Sequence, residues 1–114
     1  MLFRSLANII YKFCKENGYD IKIFYRMAVN CFCHYTAEPA IHDDHAFPHY
    51  VFLMYLNDFD EGYTSLYDEN DVLIQKIVPS KYKAVIYTGP HKAGYPALDQ
   101  HKFVLVATFG TDLK

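Results

Sequence analysis

The chain has no tryptophan, only two arginines (Arg4 and Arg26) and three cysteines among 114 residues. Each shortage removes a class of protein. Without tryptophan, the Cys…Trp…Cys signature of an immunoglobulin-like sandwich is excluded. Cys14, Cys31 and Cys33 are an odd number and cannot all pair within one chain, so a reducing, cytoplasmic setting is expected rather than a disulfide framework. Neither charge sign dominates: the net charge is −2 and the isoelectric point near 6.3, which gives no electrostatic footprint for nucleic acid. Long hydrophobic runs are also missing. The longest, Tyr50 to Leu56, is about a third of the ~20 residues a membrane-spanning helix needs. The opening stretch lacks a small-residue cleavage site, and Tyr11, Lys12 and Lys15 interrupt its apolar run, so it does not read as a secretory leader.

What the chain does have is aromatic and strand-forming. Hydrophobic residues make up 52% and aromatics 18%, with 11 Tyr and 9 Phe. Its length predicts one domain, residues 1–114, with a helix over 1–18 and a β core over about 21–109. Leu2, Leu6, Ile9, Ile10 and Phe13 recur at helical spacing, and Asn17-Gly18 supplies a stop. The helix is expected on the back of a sheet. Strand patterns follow over Ile21–Tyr35 (with Asn30 as a break), a short polar stretch Ala40–Ala46, Tyr50–Leu56, Tyr63–Tyr67, Val72–Val78, Ala84–Thr88 and Lys102–Phe109. Turn-forming residues separate them at Asn57–Gly62, Asp68–Asp71, Gly89-Pro90 and Gly94–Pro96. One helix followed by seven or eight short strands predicts a mainly β, closed or sandwiched antiparallel architecture.

The chemistry concentrates in two places: His42-Asp43-Asp44 and the distant His91. On a strand, residues two apart share a face, so His42 and Asp44 can point at one atom while Asp43 points away. Two imidazoles and one carboxylate on one side of a metal leave the opposite positions open, the arrangement of the non-haem iron facial triad. Other candidates are weaker. Cys31, Cys33 and His34 form a Cys-x-Cys-His group that could take zinc, but there is no second Cys pair. His45 and His49 flank the triad and are expected at a substrate entrance or in solvent. The acidic residues from Asp58 to Asp71 lack the Ca²⁺ loop pattern and read as solvated turns. Arg26 and Asn30, four apart on an early strand, can share a face at the mouth of the site.

Four segments taken together, IHDDHAFPHY (41–50), YLNDFDEGYTSLYDE (55–69), VPSKYKAVIYTGPHKAGYP (78–96) and KFVLVATF (102–109), resemble the catalytic core of Fe(II)/2-oxoglutarate-dependent oxygenases. The likeness is to the prolyl 4-hydroxylase-like branch, whose small members occur in bacteria and phages, and it runs from about residue 24 to 109. It implies a double-stranded β-helix, or jelly roll, with the metal in its mouth. It implies His42, Asp44 and His91 as iron ligands and Tyr55 as the phenol that binds the distal carboxylate of 2-oxoglutarate. The cofactors implied are Fe(II), 2-oxoglutarate as co-substrate, and O₂, with ascorbate as an optional addition. The activity implied is hydroxylation of a prolyl, peptide or small-molecule C–H group, with release of succinate and CO₂.

The chain departs from the family at one point. The family places a cation, usually Arg, on its last core strand, and here only His101 and Lys102 stand there. Lys102 is the expected co-substrate ligand because it is cationic across the physiological range, whereas His101 is only partly charged. The chain is also short for the family, so either its substrate is small or a second copy completes the site. A homodimer would in addition cover exposed edge strands. Two other functions compete: a non-catalytic, cupin-like metal-binding β-barrel, and a β-sandwich interaction module without metal.

Overall fold

The computed structural model describes residues 2–112, with side chains from Arg4 onward. One helix, α1 (Leu2–Glu16), precedes seven strands. These are β1 (Ile23–Cys33), β2 (Tyr50–Tyr55), β3 (Thr64–Tyr67), β4 (Leu73–Ile77), β5 (Ala84–Tyr87), β6 (His91–Ala93) and β7 (His101–Gly110). They form two sheets, one of order β1-β7-β2-β5 and one of order β4-β3-β6, and every pairing is antiparallel. The mainly β, antiparallel architecture expected from strand spacing is therefore present, arranged as two sheets. No helix among the described residues is long and apolar enough to cross a membrane.

Alternation along β2 and β7 divides the core into two layers. Phe52, Leu105, Ala107 and Phe109 face α1 and pack with Ile10 and Cys14. Leu53, Tyr55 and Val104 face the second sheet and pack with Ile77. Period-2 patterning on buried strands requires this, because each strand presents one row of side chains to each side. The helix lies on the back of the larger sheet, as its apolar stripe predicts, with the Phe13 ring edge-on to Phe52 at 5.5 Å. Ile9 is the exception. Its spacing places it on the packed face, but it is 45% exposed, because Leu6, Ile10, Phe13 and Cys14 already fill the stripe. The side chain of Leu2 lies outside the described residues.

The helix ends where Asn17-Gly18 predicts. Gly18 takes φ +86°, and the amides of Gly18 and Tyr19 donate to the carbonyls of Lys15 and Cys14 at 3.2 and 2.8 Å. That paired closure satisfies carbonyls the last turn would otherwise leave open. Two expectations need correction. Asn30 does not break β1, because it pairs with Val104 in an unbroken ladder; the irregularity falls at Tyr25, between Phe24 and Arg26. Residues 40–46 do not form a strand. Pro39 and Pro48, which lack backbone donors, bracket this stretch, and a single bridge, His42 to His91, is its only ladder contact. That bridge adds a fourth member to the smaller sheet beside β6.

Candidate metal centre

His42 reaches its position through the backbone. Its amide donates to the His91 carbonyl and the His91 amide donates back, both at 2.9 Å. This narrow antiparallel pair sets the two imidazoles 4.5 Å apart, centroid to centroid. His91 opens β6 immediately after the turn at Gly89 (φ +89°) and Pro90, and it is buried.

Each ring is then held by its own chain. The Nδ1–H of His91 donates to the Gly89 carbonyl at 2.9 Å, and that of His42 to the Ala40 carbonyl at 3.2 Å. A carbonyl can only accept, so Nδ1 carries the proton and Nε2 presents a lone pair in the neutral imidazole. Both Nε2 atoms stand 3.5 Å from Asp44 Oδ1. One ligand atom from each of the three residues lies within 4.8 Å of the others.

With both imidazoles neutral, three electron-pair donors converge with no donor hydrogen between them, which is what a cation requires. At metal–ligand bonds of about 2.0–2.2 Å, an edge of 3.5 Å lets both partners reach one ion. The outward N–H of each histidine already has a carbonyl partner, the usual support for a ligating imidazole. The group could therefore bind a metal ion, and imidazole with carboxylate suits several divalent metals.

Electrostatics in the metal-free protein follow from the same contacts. The close approach of His91 pulls the Asp44 carboxyl below its usual range, against the opposing effect of burial. Burial alone would lower the pKa of His91, but Asp44 and the Gly89 carbonyl together outweigh it and raise it. Asp43, as expected, points elsewhere: its Oδ1 lies 3.4 Å from His49 Nε2.

Tyr55 and Lys102 occupy the same inter-sheet layer. Tyr55 is fully buried, its hydroxyl 2.7 Å from Thr64 Oγ1. Lys102 is 1% exposed, while its neighbour His101 faces outward. Pairing with Phe32 sets that register and decides which of the two side chains enters the core. The Lys102 ammonium donates to the carbonyls of Gly94 and Gly62 at 2.9 and 3.1 Å and lies 4.8 Å from the Phe32 ring centre. Among the described residues it forms no ion pair, and burial lowers its pKa to about 8. An ammonium has three N–H donors, so one remains for a further acceptor.

Tyr87 escaped the sequence analysis although it borders the triad. Its ring lies edge-on to His91 at 5.1 Å, and burial followed by the Asp44 charge pushes its phenol well above the ordinary value. Inward alternation along β5, shared with Val85, was the available signal. Cys31, Cys33 and His34 do not assemble: both cysteines are exposed, and the His34 ring bonds the Pro96 carbonyl at 2.9 Å. Among the described residues, His42, Asp44 and His91 are the one group with metal-ligand spacing. His45 instead bonds Thr108 Oγ1 at 2.8 Å, and His49 is buried. Arg26 and Asn30 share the inner face of β1, opposite Thr108 and Val104. Asn57 bridges to β7 through the His101 carbonyl and the Phe103 amide, at 2.8 and 2.9 Å.

Compared with models of known protein families and with curated proteins, the chain matches none.

Proposed function

We propose that the protein is an Fe(II)- and 2-oxoglutarate-dependent oxygenase on a reduced double-stranded β-helix, hydroxylating a C–H group of a prolyl, other peptide or small-molecule substrate. The observation that carries this proposal is the convergence of His42 Nε2, Asp44 Oδ1 and His91 Nε2, which leaves the remaining positions of an ion open. The strand arrangement supports the fold. The seven strands divide four and three between two sheets, the His42 bridge lies beside β6, and the chain crosses repeatedly between the sheets, as it does in a jelly roll.

Bound to the triad, iron with 2-oxoglutarate and O₂ would supply the oxidising power for C–H hydroxylation, yielding succinate and CO₂. The chain's own residues do the rest. The carbonyls of Ala40 and Gly89 orient the two imidazoles. His42, 48% exposed at its side chain, leaves the centre open to solvent on one side, while Asp44 and His91 are largely enclosed. Lys102 offers its free N–H and an uncompensated charge to a carboxylate, and Tyr55 offers a hydroxyl in the same layer. Phe32 and Phe59 flank the Lys102 ammonium and exclude water from it, which strengthens any pairing there.

An anaerobic titration with Fe(II) and then 2-oxoglutarate tests the proposal. A visible metal-to-ligand charge-transfer band is expected in the wild type and not in His91→Ala. Metal bound at one equivalent with no such band would overturn it. That outcome would favour a non-catalytic, cupin-like metal-binding barrel, for which the carbonyls already bound to Lys102 are the supporting observation.

A further inference from the structure

Beside the triad, on the side to which Asp43 points, lies an open cleft of about 720 Å³. Its walls include the rings of Tyr25, Phe47 and Tyr50, the carboxylates of Asp43 and Asp112, and the imidazole of His49. No lysine or arginine lines it among the described residues. Tyr25 and Phe47 stand edge to face at 4.7 Å. The bare backbone of Gly110 lets the Tyr25 hydroxyl approach, since a Cβ there would lie 2.7 Å from it.

His49 distinguishes this cleft from an acidic patch. Its side chain is 3% exposed, and its Nδ1–H donates to the Phe47 carbonyl at 2.8 Å. In the neutral imidazole Nε2 is then an acceptor. It has no hydrogen-bond partner, and Asp43 Oδ1, 3.4 Å away, is an acceptor too. A buried nitrogen without a hydrogen-bond partner thus stands beside a carboxylate at the cleft wall.

We propose that this cleft binds a primary ammonium or guanidinium group, whose N–H donors are received by Asp43 and His49 while the rings of Tyr25, Phe47 and Tyr50 face its charge. Carboxylates supply the counter-charge, aromatic faces attract cations, and a donor-bearing head satisfies the orphaned Nε2. The volume is larger than one such side chain needs, and it suits a short peptide or a substituted amine. Asp43 sits between His42 and Asp44, and Gly89, whose carbonyl holds His91, lines the cleft, so a guest here lies against the support of the metal centre. Its role as the substrate class of the oxygenase rests on the function proposed above; the binding does not.

The test uses metal-free protein, so its failure is separate from failure of the oxygenase function. Calorimetry would compare Nα-acetyl-lysine methylamide with its norleucine counterpart, which lacks the amine, and with its trimethyl-lysine counterpart, which keeps the charge but has no N–H. Saturable binding of the lysine probe alone is expected, weakened at least tenfold in both Asp43→Asn and Asp112→Asn. Cadaverine as a further probe separates the sources: binding of the diamine points to a free amine, and binding of the lysyl amide alone to a peptide. Equal binding of the lysine and norleucine probes, or unchanged affinity in Asp43→Asn, would overturn the proposal. So would a second equivalent of Mn²⁺ that persists in His91→Ala and disappears in Asp43→Asn, since the pair would then be a metal site.

Discussion

His42 and His91, far apart in the chain, exchange both backbone hydrogen bonds at 2.9 Å. The candidate ligands are thus fixed to each other by main chain before any ion arrives. Side-chain rearrangement is not needed to bring them together, and the bridge ties the irregular segment before β2 to the smaller sheet. A site prepared in this way loses little freedom on binding an ion.

Removing one imidazole should therefore cost metal affinity without unfolding the protein. His91→Ala is expected to abolish tight binding of Fe²⁺, Mn²⁺ or Zn²⁺, whereas Asp43→Asn should keep it. Thermal melting with and without metal reads this out. At free metal ~100 times its Kd the wild type gains about 2.7 kcal/mol, and His91→Ala should gain nothing.

Lys102 should leave a signature in the pH dependence of stability. Burial lowers its pKa from 10.5 to about 8, so between these values the unfolded chain holds a proton that the folded protein has released. Stability from this group therefore rises as pH rises from about 8 to 10.5, by up to about 3 kcal/mol. Below pH 8 that contribution is absent. Denaturant titrations of wild type and Lys102→Met across the range should diverge with this sign, and the difference cancels the opposing effect of Cys14, whose thiol burial raises to about 11. Lys102→Met should also lose 2-oxoglutarate binding while keeping metal.

Thiol labelling should separate the cysteines cleanly. Cys31 and Cys33 are exposed and should react within the mixing phase of a thiol reagent near pH 8. Cys14 is buried between α1 and the larger sheet, and its thiol stays protonated. Its labelling should follow unfolding and speed up with denaturant. Rapid labelling of all three would show that the helix does not cover the sheet.

Two glycines should respond unequally to alanine. At Gly94 a Cβ would meet the Tyr63 carbonyl oxygen at 2.8 Å and the Tyr63 amide nitrogen at 3.1 Å, both backbone atoms that cannot swing away. Gly94→Ala should destabilise by about 1–3 kcal/mol and disturb the carbonyl that holds Lys102. Gly18→Ala meets nothing within 4 Å and bears only the strain of its φ of +86°, about 1 kcal/mol. Equal losses in chemical denaturation would contradict the close packing at Gly94.

Much of this architecture could be read from order along the chain. Helical spacing in the first segment, period-2 alternation in the strands and Gly, Asn and Asp in the turns are local properties, and they placed α1, β2, β5 and β7 nearly to the residue. The His-x-Asp pattern and the lone His91 were visible for the same reason, as residue types at fixed spacing. Other features depend on neighbours that sequence does not order. Residues 40–46 are held by one bridge to β6 rather than by a strand of their own. Whether His101 or Lys102 enters the core is decided by the register of β7 against β1, since a one-residue slip reverses every side chain. His45 against Thr108, and the Lys102 ammonium against the Gly62 carbonyl, are contacts between distant segments. Local chemistry dictates which elements form; only the packing of two sheets against each other determines which side chains share a space, because that depends on long-range pairing.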